Sequence, residues 1–285
     1  MKLLRYKITP KSSFISFPKA DMIFGQFASM LFLQKDTTLE KYLEEEPKII
    51  FSDFIPDKYT MKPSLPLSFF GVEDSDKKVF RKKQFISLEK LQDGKLKECE
   101  IVEFTQIKTV IKNSINRKTF STDDSGVFAP YGIEEINFLK EPNLYVLYDE
   151  NSFSSKQITL LLKNMGRVGF GKKNSIGKGQ FTVALDKNFK GFNNFKTSYY
   201  MTLSPSLLNN KKDNIEKAYY DTFNRFGKHS NSNIPFKKPL LMAQSGAVVK
   251  MNEKKQYIGK AINNGYENIS FVQGYSIVVP FKMEE

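Results

Sequence analysis

The sequence predicts an α+β fold of ferredoxin-like type rather than a parallel doubly wound sheet. Two observations predict it. A strand–helix–strand unit is written between residues 143 and 186, as "NLYVLYDE", "SSKQITLLLKNMG" and "QFTVALD". Around it lie further alternating runs that read as extra antiparallel strands. No short repeat of solenoid type is present.

The elements follow in order. "LLRYKIT" (Leu3–Thr9) alternates as a strand does, and Pro10 ends it. "ADMIFGQFASMLFL" carries Met22, Ile23, Phe27, Met30 and Leu31 at helical spacing, with Gly25 marking close packing. "DTTLEKYLEEE" reads as a second short helix with Asp36 near its N-cap. "KIIFSDFIP" is strand-like and stops at Pro56, and residues 57–83 read as a long irregular insertion. "EFTQIKTVIKNSI" reads as a long strand, "NRKTFSTDDSGVFAPYG" as a turn-rich hairpin tip, and "EEINFLKEPNLYVLYDE" as two more strands. In the helix of residues 154–166, Ser154 or Ser155 is the cap. Ile158, Leu161, Leu162 and Met165 share one face, and Gly166 stands at the left-handed C′ position. Later, "TSYYMTLSPSLL" and "LLMAQSGAVVKM" read as strands, and "NIEKAYYDTFNRF" as a helix. "ISFVQGYSIVVPF" reads as a strand pair or a bent strand.

The 285 residues suffice for one large or two small domains, and a 40% hydrophobic share supplies a core. The net charge of +13 attracts polyanions, nucleic acid first among them. A composition rich in Lys, Asn and Ile also raises this charge without any partner. One cysteine, Cys99, excludes a disulfide framework and is expected to pack in a cytoplasmic protein. The start has no long apolar run of signal-peptide type, and no stretch approaches ~18 apolar residues, so no membrane association is expected.

The chemistry concentrates in "GRVGFGKKNSIGKGQF", residues 166–181, with five glycines, four basic residues and no acid. It is not a Walker loop: five residues before Gly177 stands Lys172, and Gly179 follows Lys178 where Ser or Thr is required. It is not a dinucleotide loop: Gly169 and Gly171 begin one, but Asn174 takes the third glycine's place. The order helix–loop–strand offers no following helix N-terminus to a phosphate. Backbone N–H groups at Gly169, Gly171, Gly177 and Gly179, with Arg167, Lys172, Lys173 and Lys178, suit a sugar–phosphate backbone better than a cradled triphosphate. Ser175 and Asn174 are candidates for 2′-OH or base edges, and Phe170 either stacks on a base or plugs the core beneath the loop. Lys19 and Arg117-Lys118 are candidates for extending the groove. Four loop cations, each on one phosphate, imply a log K against log salt slope of roughly −3.

The loop resembles the glycine-rich loop of the repeat-associated mysterious proteins (RAMP) of CRISPR systems, in the pattern GxxGFGKxxSxGKGxF. "PKADMIFGQFASML" resembles that family's early helix, with Asp21 and Gly25 matching. "FSDFIP" (Phe51–Pro56) is similar to an element of the subunit that caps the guide RNA 5′ end in type III-A complexes. "INRKTFSTDDSGVF" is similar to another, with Asn116 where Asp is usual. "PLLMAQSGAVV" and "QGYSIVVPF" resemble late family turns, with Ser245-Gly246 and Gly274-Tyr275 in reversed order. The resemblance implies a RAMP-type fold of two ferredoxin-like (RRM-like) halves with inserted loops and hairpins. The halves would be residues 1–190, including Gly166 and the loop to residue 179, and 191–285, packed as one unit. It further implies binding of the guide's 5′ repeat-derived tag, and docking onto a large polymerase-like subunit and a backbone RAMP subunit.

No catalytic apparatus, metal or cofactor is expected. The one histidine, His229, lies in polar surroundings; Asp123-Asp124 and Asp74/Asp76 read as solvated turn acids. Asp21 and Asp53 read as structural, at a helix start and a strand end. Guide-maturing RAMP relatives often carry a His in the N-terminal half and the loop near the C-terminus, and this chain does neither. Three readings stand at this point: a non-catalytic guide-capping subunit of a type III-A complex, with the type III-B equivalent close by; a RAMP-type endoribonuclease; and a protein-interaction scaffold.

Overall fold

Alternation along the first strand, β1 (Lys2–Pro10), turns Tyr6 and Ile8 fully inward. The computed structural model describes residues 1–122, 128–227, 236–264 and 270–283. Helix α1 (Ala20–Leu33) follows and buries Ile23, Phe24, Phe27 and Leu31. Lys19 at its N-cap offers no side-chain cap; Asp53 does so from a distance, its Oδ1 accepting from Ala20 N at 2.8 Å. Gly25 does not mark close packing, because a Cβ there would meet nothing within 4 Å.

The expected helix at residues 36–46 is a run of turns, bonded Glu40 to Thr37 and Tyr42 to Leu39. Glu44, Glu45 and Glu46 crowd the end where a helix dipole is negative. The next strand-like run splits into β2 (Ile49–Phe51) and β3 (Ile55–Pro56), with Ser52, Asp53 and Phe54 between them. The expected irregular insertion holds short elements. Strand β4 (Tyr59–Met61) pairs with β5 (Phe85–Ser87), flanking helix α2 (Lys77–Arg81), and helix α3 (Leu88–Gln92) comes next. Cys99 is buried, donates to Leu96 O, and has its thiol pushed up to about 11 by that burial. A long hairpin of β6 (Thr105–Lys112) and β7 (Tyr131–Phe138) then leaves the body.

Strand β8 (Pro142–Tyr148), buried throughout, leads through helix α4 (Ser155–Val168) to β9 (Phe181–Leu185). The first sheet has the order β2-β8-β1-β9, with β3 also on β8 and every pairing antiparallel. Tyr6 of β1 sits between Leu144 and Leu185 in register, and α1 packs beside α4.

The second sheet starts with β10 (Tyr199–Thr202) and the short helix α5 (Asn210–Asp213). Where a helix is expected at residues 214–226 the chain forms β11 (Ile215–Tyr219) and β12 (Thr222–Arg225). Asn214 at φ +51° stops α5, and the Tyr, Thr and Phe that follow favour a pleated surface. Strand β13 (Leu240–Ala243) pairs with β12 as a ribbon, and β14 (Val248–Met251), β15 (Tyr257–Gly259), β16 (Ile262–Asn263), β17 (Phe271–Val272) and β18 (Tyr275–Phe281) complete the chain. The order is β11-β14-β10-β18-β15, again antiparallel.

One core passes through both sheets and joins Phe51 and Tyr145 to Met201, Leu203 and Ile277. Two polar ties reinforce the junction. The Gln273 amide accepts from Phe51 N and donates to Phe51 O, at 2.9 and 2.8 Å. Asp53 Oδ2 accepts from Ser245 Oγ at 2.5 Å and from Lys19 Nζ at 3.1 Å. Among the described residues no helix is long and apolar enough to cross a membrane.

Candidate nucleic-acid interface

Ser154 caps α4 by accepting from Gln157 N, and the helix runs through Gly166 to Val168. Gly166 is therefore not the left-handed C′ residue. It lets α4 cross β9, since a Cβ there would lie 2.1 Å from Phe181 O. The left-handed stop is Gly169, at φ +96°.

The loop glycines shape the loop and do not offer free amides. Gly169 N donates to Met165 O, Gly177 N to Asn174 O and Gly179 N to Ser13 O, at 2.9, 2.9 and 2.8 Å. Gly171 N reaches Gln26 Oε1 at 3.4 Å. The N–H groups without a protein partner among the described residues are those of Lys172, Lys173, Asn174 and Ser175, at the tip. Lys173 sits at φ +62° before the 3₁₀ turn Asn174–Ile176, so consecutive N–H groups converge as in an anion-binding nest.

Phe170 is buried at 1% exposure against Phe14, beneath the loop. It anchors the loop and cannot stack on a base. Among the loop cations, Arg167, Lys172 and Lys173 are exposed and make no ion pair with the described residues. Lys178 differs. Its Nζ lies 2.6 Å from Glu135 Oε1 and 2.9 Å from Ser13 Oγ, while Ser13 donates to Glu135 Oε2. These hydrogen bonds hold the Glu135 carboxyl below its ordinary value. Lys178 thus ties the loop to β7, and its charge is already matched.

That tie sets the hairpin beside the loop. In register Lys108 faces Glu135, and Lys112 pairs with Tyr131 farther along the same face of the ribbon. Strand alternation therefore puts Lys108 and Lys112 on the side that carries Glu135, toward the loop. Lys112 contributes to lowering Glu135. Sequence reasoning missed both lysines, although their four-residue spacing inside an alternating strand signals one face. Arg117 and Lys118 are exposed near the hairpin tip, where Asn116 Oδ1 accepts from Lys118 N. Lys19 is committed to Asp53 and lies over the Phe17 and Phe223 rings, so it is not a free phosphate contact.

Two of the remaining candidate acids, Asp21 and Asp74, are paired. Asp21 meets Arg225 at 2.6 Å, and burial raises its carboxyl against the opposing pull of that guanidinium. Asp74 pairs with Lys77 in an exposed turn, and Asp76 is exposed nearby. His229, Asp123 and Asp124 lie outside the described residues. Among the described residues no three His, Cys, Asp or Glu side chains converge for a metal.

No family model matches this chain, and no curated protein matches it. Solved structures do. A chain of the Csm3-Csm4 subcomplex in the type III-A CRISPR-Cas interference complex matches at TM-score 0.62 and 21% identity, over 98% of this chain and 99% of that one. A chain of the Csm1-Csm4 cassette in complex with AMPPNP matches at TM-score 0.60 and 17% identity, over 99% of both. A chain of the same cassette in complex with cA4 matches at TM-score 0.59, also 17% identical and over 99% of both. The chain has the fold of these three chains. It is a mixed fold of many antiparallel strands and few helices.

Proposed function

We propose that the chain is a non-catalytic RNA-binding subunit of a type III-A CRISPR interference complex, in which it grips the 5′ repeat-derived tag of the guide RNA. The observation that carries this reading is the pairing of an unpartnered loop tip with a basic hairpin face. N–H groups at residues 172–175 and the cations Arg167, Lys172 and Lys173, unpartnered among the described residues, lie on a loop that Lys178 ties to the hairpin face of Glu135, Lys108 and Lys112. Such a surface neutralises a curving backbone without consuming it. On this reading Ser175 and Asn174, in the same turn, meet 2′-OH groups or base edges.

Fold likeness to chains crystallised in Csm3-Csm4 and Csm1-Csm4 assemblies supports two protein partners, a backbone RAMP subunit and a large polymerase-like subunit. We read residues 1–190 and 191–285 as two ferredoxin-like halves packed as a unit. The β1-α1-β2-β8-α4-β9 order supports this for the first half. In the second half the likeness is limited to the antiparallel sheet, because its described helix has four residues.

The test is a titration, by fluorescence anisotropy, of a guide carrying its 5′ repeat tag against the same RNA without the tag. Tighter binding of the tagged RNA is expected. Equal binding of both would overturn tag recognition, and absence of binding would overturn the RNA-binding reading.

A further inference from the structure

A cavity of about 200 Å³ opens between the base of the β6–β7 hairpin, the β4–β5 ribbon and the Gln244-Ser245 turn. Its apolar wall is aromatic: Phe104 meets Phe17 and Phe85 edge-on, at 6.1 and 6.0 Å between ring centroids. Its charged groups, Lys19 and Asp53, are bonded to each other and to Ser245, so they call for no counter-ion. Three neutral side chains on its lining, Gln84, Gln244 and Thr105, make no hydrogen bond with the described residues. Phenyl rings with uncommitted amide and hydroxyl groups around them match a planar, neutral heteroaromatic ring whose edge carries donors and acceptors. They do not match a phosphate.

The cavity adjoins the candidate interface. Phe17 lines it, while the neighbouring Ser16 lies against the glycine loop, 3.9 Å from where a Cβ on Gly171 would stand. Resting on the RNA-binding reading above, we infer that the cavity takes one unstacked nucleobase of the bound single strand. The rings of Phe17, Phe85 and Phe104 enclose it, and Gln84, Thr105 and Gln244 read its edge.

The probe is the tagged guide RNA with one nucleotide at a time made abasic, read by anisotropy. Two variants report on the cavity: Gln244→Trp fills it from an exposed position, and Gln84→Leu/Thr105→Val removes edge contacts at nearly constant volume. Circular dichroism checks each fold, and either folded variant suffices. For wild type, one abasic position is expected to weaken binding roughly tenfold, the size of a base–aromatic stack. That penalty should vanish in Gln244→Trp and shrink in the double variant, while the salt slope stays that of wild type.

RNA bound with the loop's salt slope but with no abasic penalty would overturn the pocket and leave the proposed function standing. A penalty unchanged in the folded variants would place the base elsewhere and overturn it equally. No RNA binding by wild type would overturn both readings. Each free nucleoside is also titrated by ligand-observed NMR. Saturable nucleoside binding without an abasic penalty would assign the cavity to a free nucleoside and overturn the RNA-borne base. Nucleoside binding that removes the penalty would support it.

Discussion

Lys178 looks in the sequence like its neighbours Lys172 and Lys173, but its charge is matched by Glu135 at 2.6 Å. Only Arg167, Lys172 and Lys173 then remain for phosphates in the loop, and the loop's share of the salt slope falls from roughly −3 to roughly −2. Glu135→Gln releases Lys178, so the slope for RNA binding should steepen by about 0.7. The same variant tests the pH dependence. Hydrogen bonds from Lys178 and Ser13 set the folded-state carboxyl of Glu135 below its unfolded value, near 4.5. Its stabilisation is therefore present above that pH and is lost as pH falls through the lower folded value. Acid unfolding should show this loss in wild type and not in Glu135→Gln. The glycines separate by surroundings rather than by identity. A Cβ at Gly179 would lie 2.2 Å from Phe170 O with φ at +73°, whereas one at Gly177, φ +80°, meets nothing. In urea unfolding Gly177→Ala should cost about 1–2 kcal/mol, and Gly179→Ala clearly more. The sequence announces which residues are glycine and which are basic. It does not announce that the glycine amides are used up in holding the loop, because the partners of two of them, Ser13 for Gly179 and Gln26 for Gly171, are some 150 residues away.

At the scale of elements, the hairpin adds what the loop lacks. Lys108 and Lys112 share the face of Glu135, so Lys108→Ala/Lys112→Ala should flatten the salt slope by roughly 1.4. At exposed Lys108 stability should change by no more than about 0.5 kcal/mol, with a somewhat larger change at half-buried Lys112, and urea midpoints check this. Elements governed by local signals were legible. Period-two alternation gave β1 and β6, the strand–helix–strand unit gave β8, helical spacing gave α1, and a serine at 154 or 155 gave the start of α4. Two segments were not legible. Residues 36–46 have helical composition, but their glutamates sit at the unfavourable end. Residues 214–226 become β11 and β12 because each finds a partner, β14 or β13, that no local pattern reveals.

For the whole molecule the decisive contacts are long-range. Asp53 joins the start of α1 to the Ser245 turn, 192 residues away, through Ala20 N, Lys19 Nζ and Ser245 Oγ. Asp53→Ala leaves those donors without their acceptor and should destabilise the fold by about 3–5 kcal/mol, read from the urea midpoint. The α+β class was legible from one strand–helix–strand unit, but the joining of the two sheets was not, since it depends on such ties. The central claim is that the loop grips an RNA backbone. Its most direct test is anisotropy of tagged guide RNA across a salt series, comparing wild type with Arg167→Ala/Lys172→Ala/Lys173→Ala, with circular dichroism on both. The expected result is a folded variant whose log K against log salt slope is shallower by roughly 2. An unchanged slope in a folded variant would contradict the account.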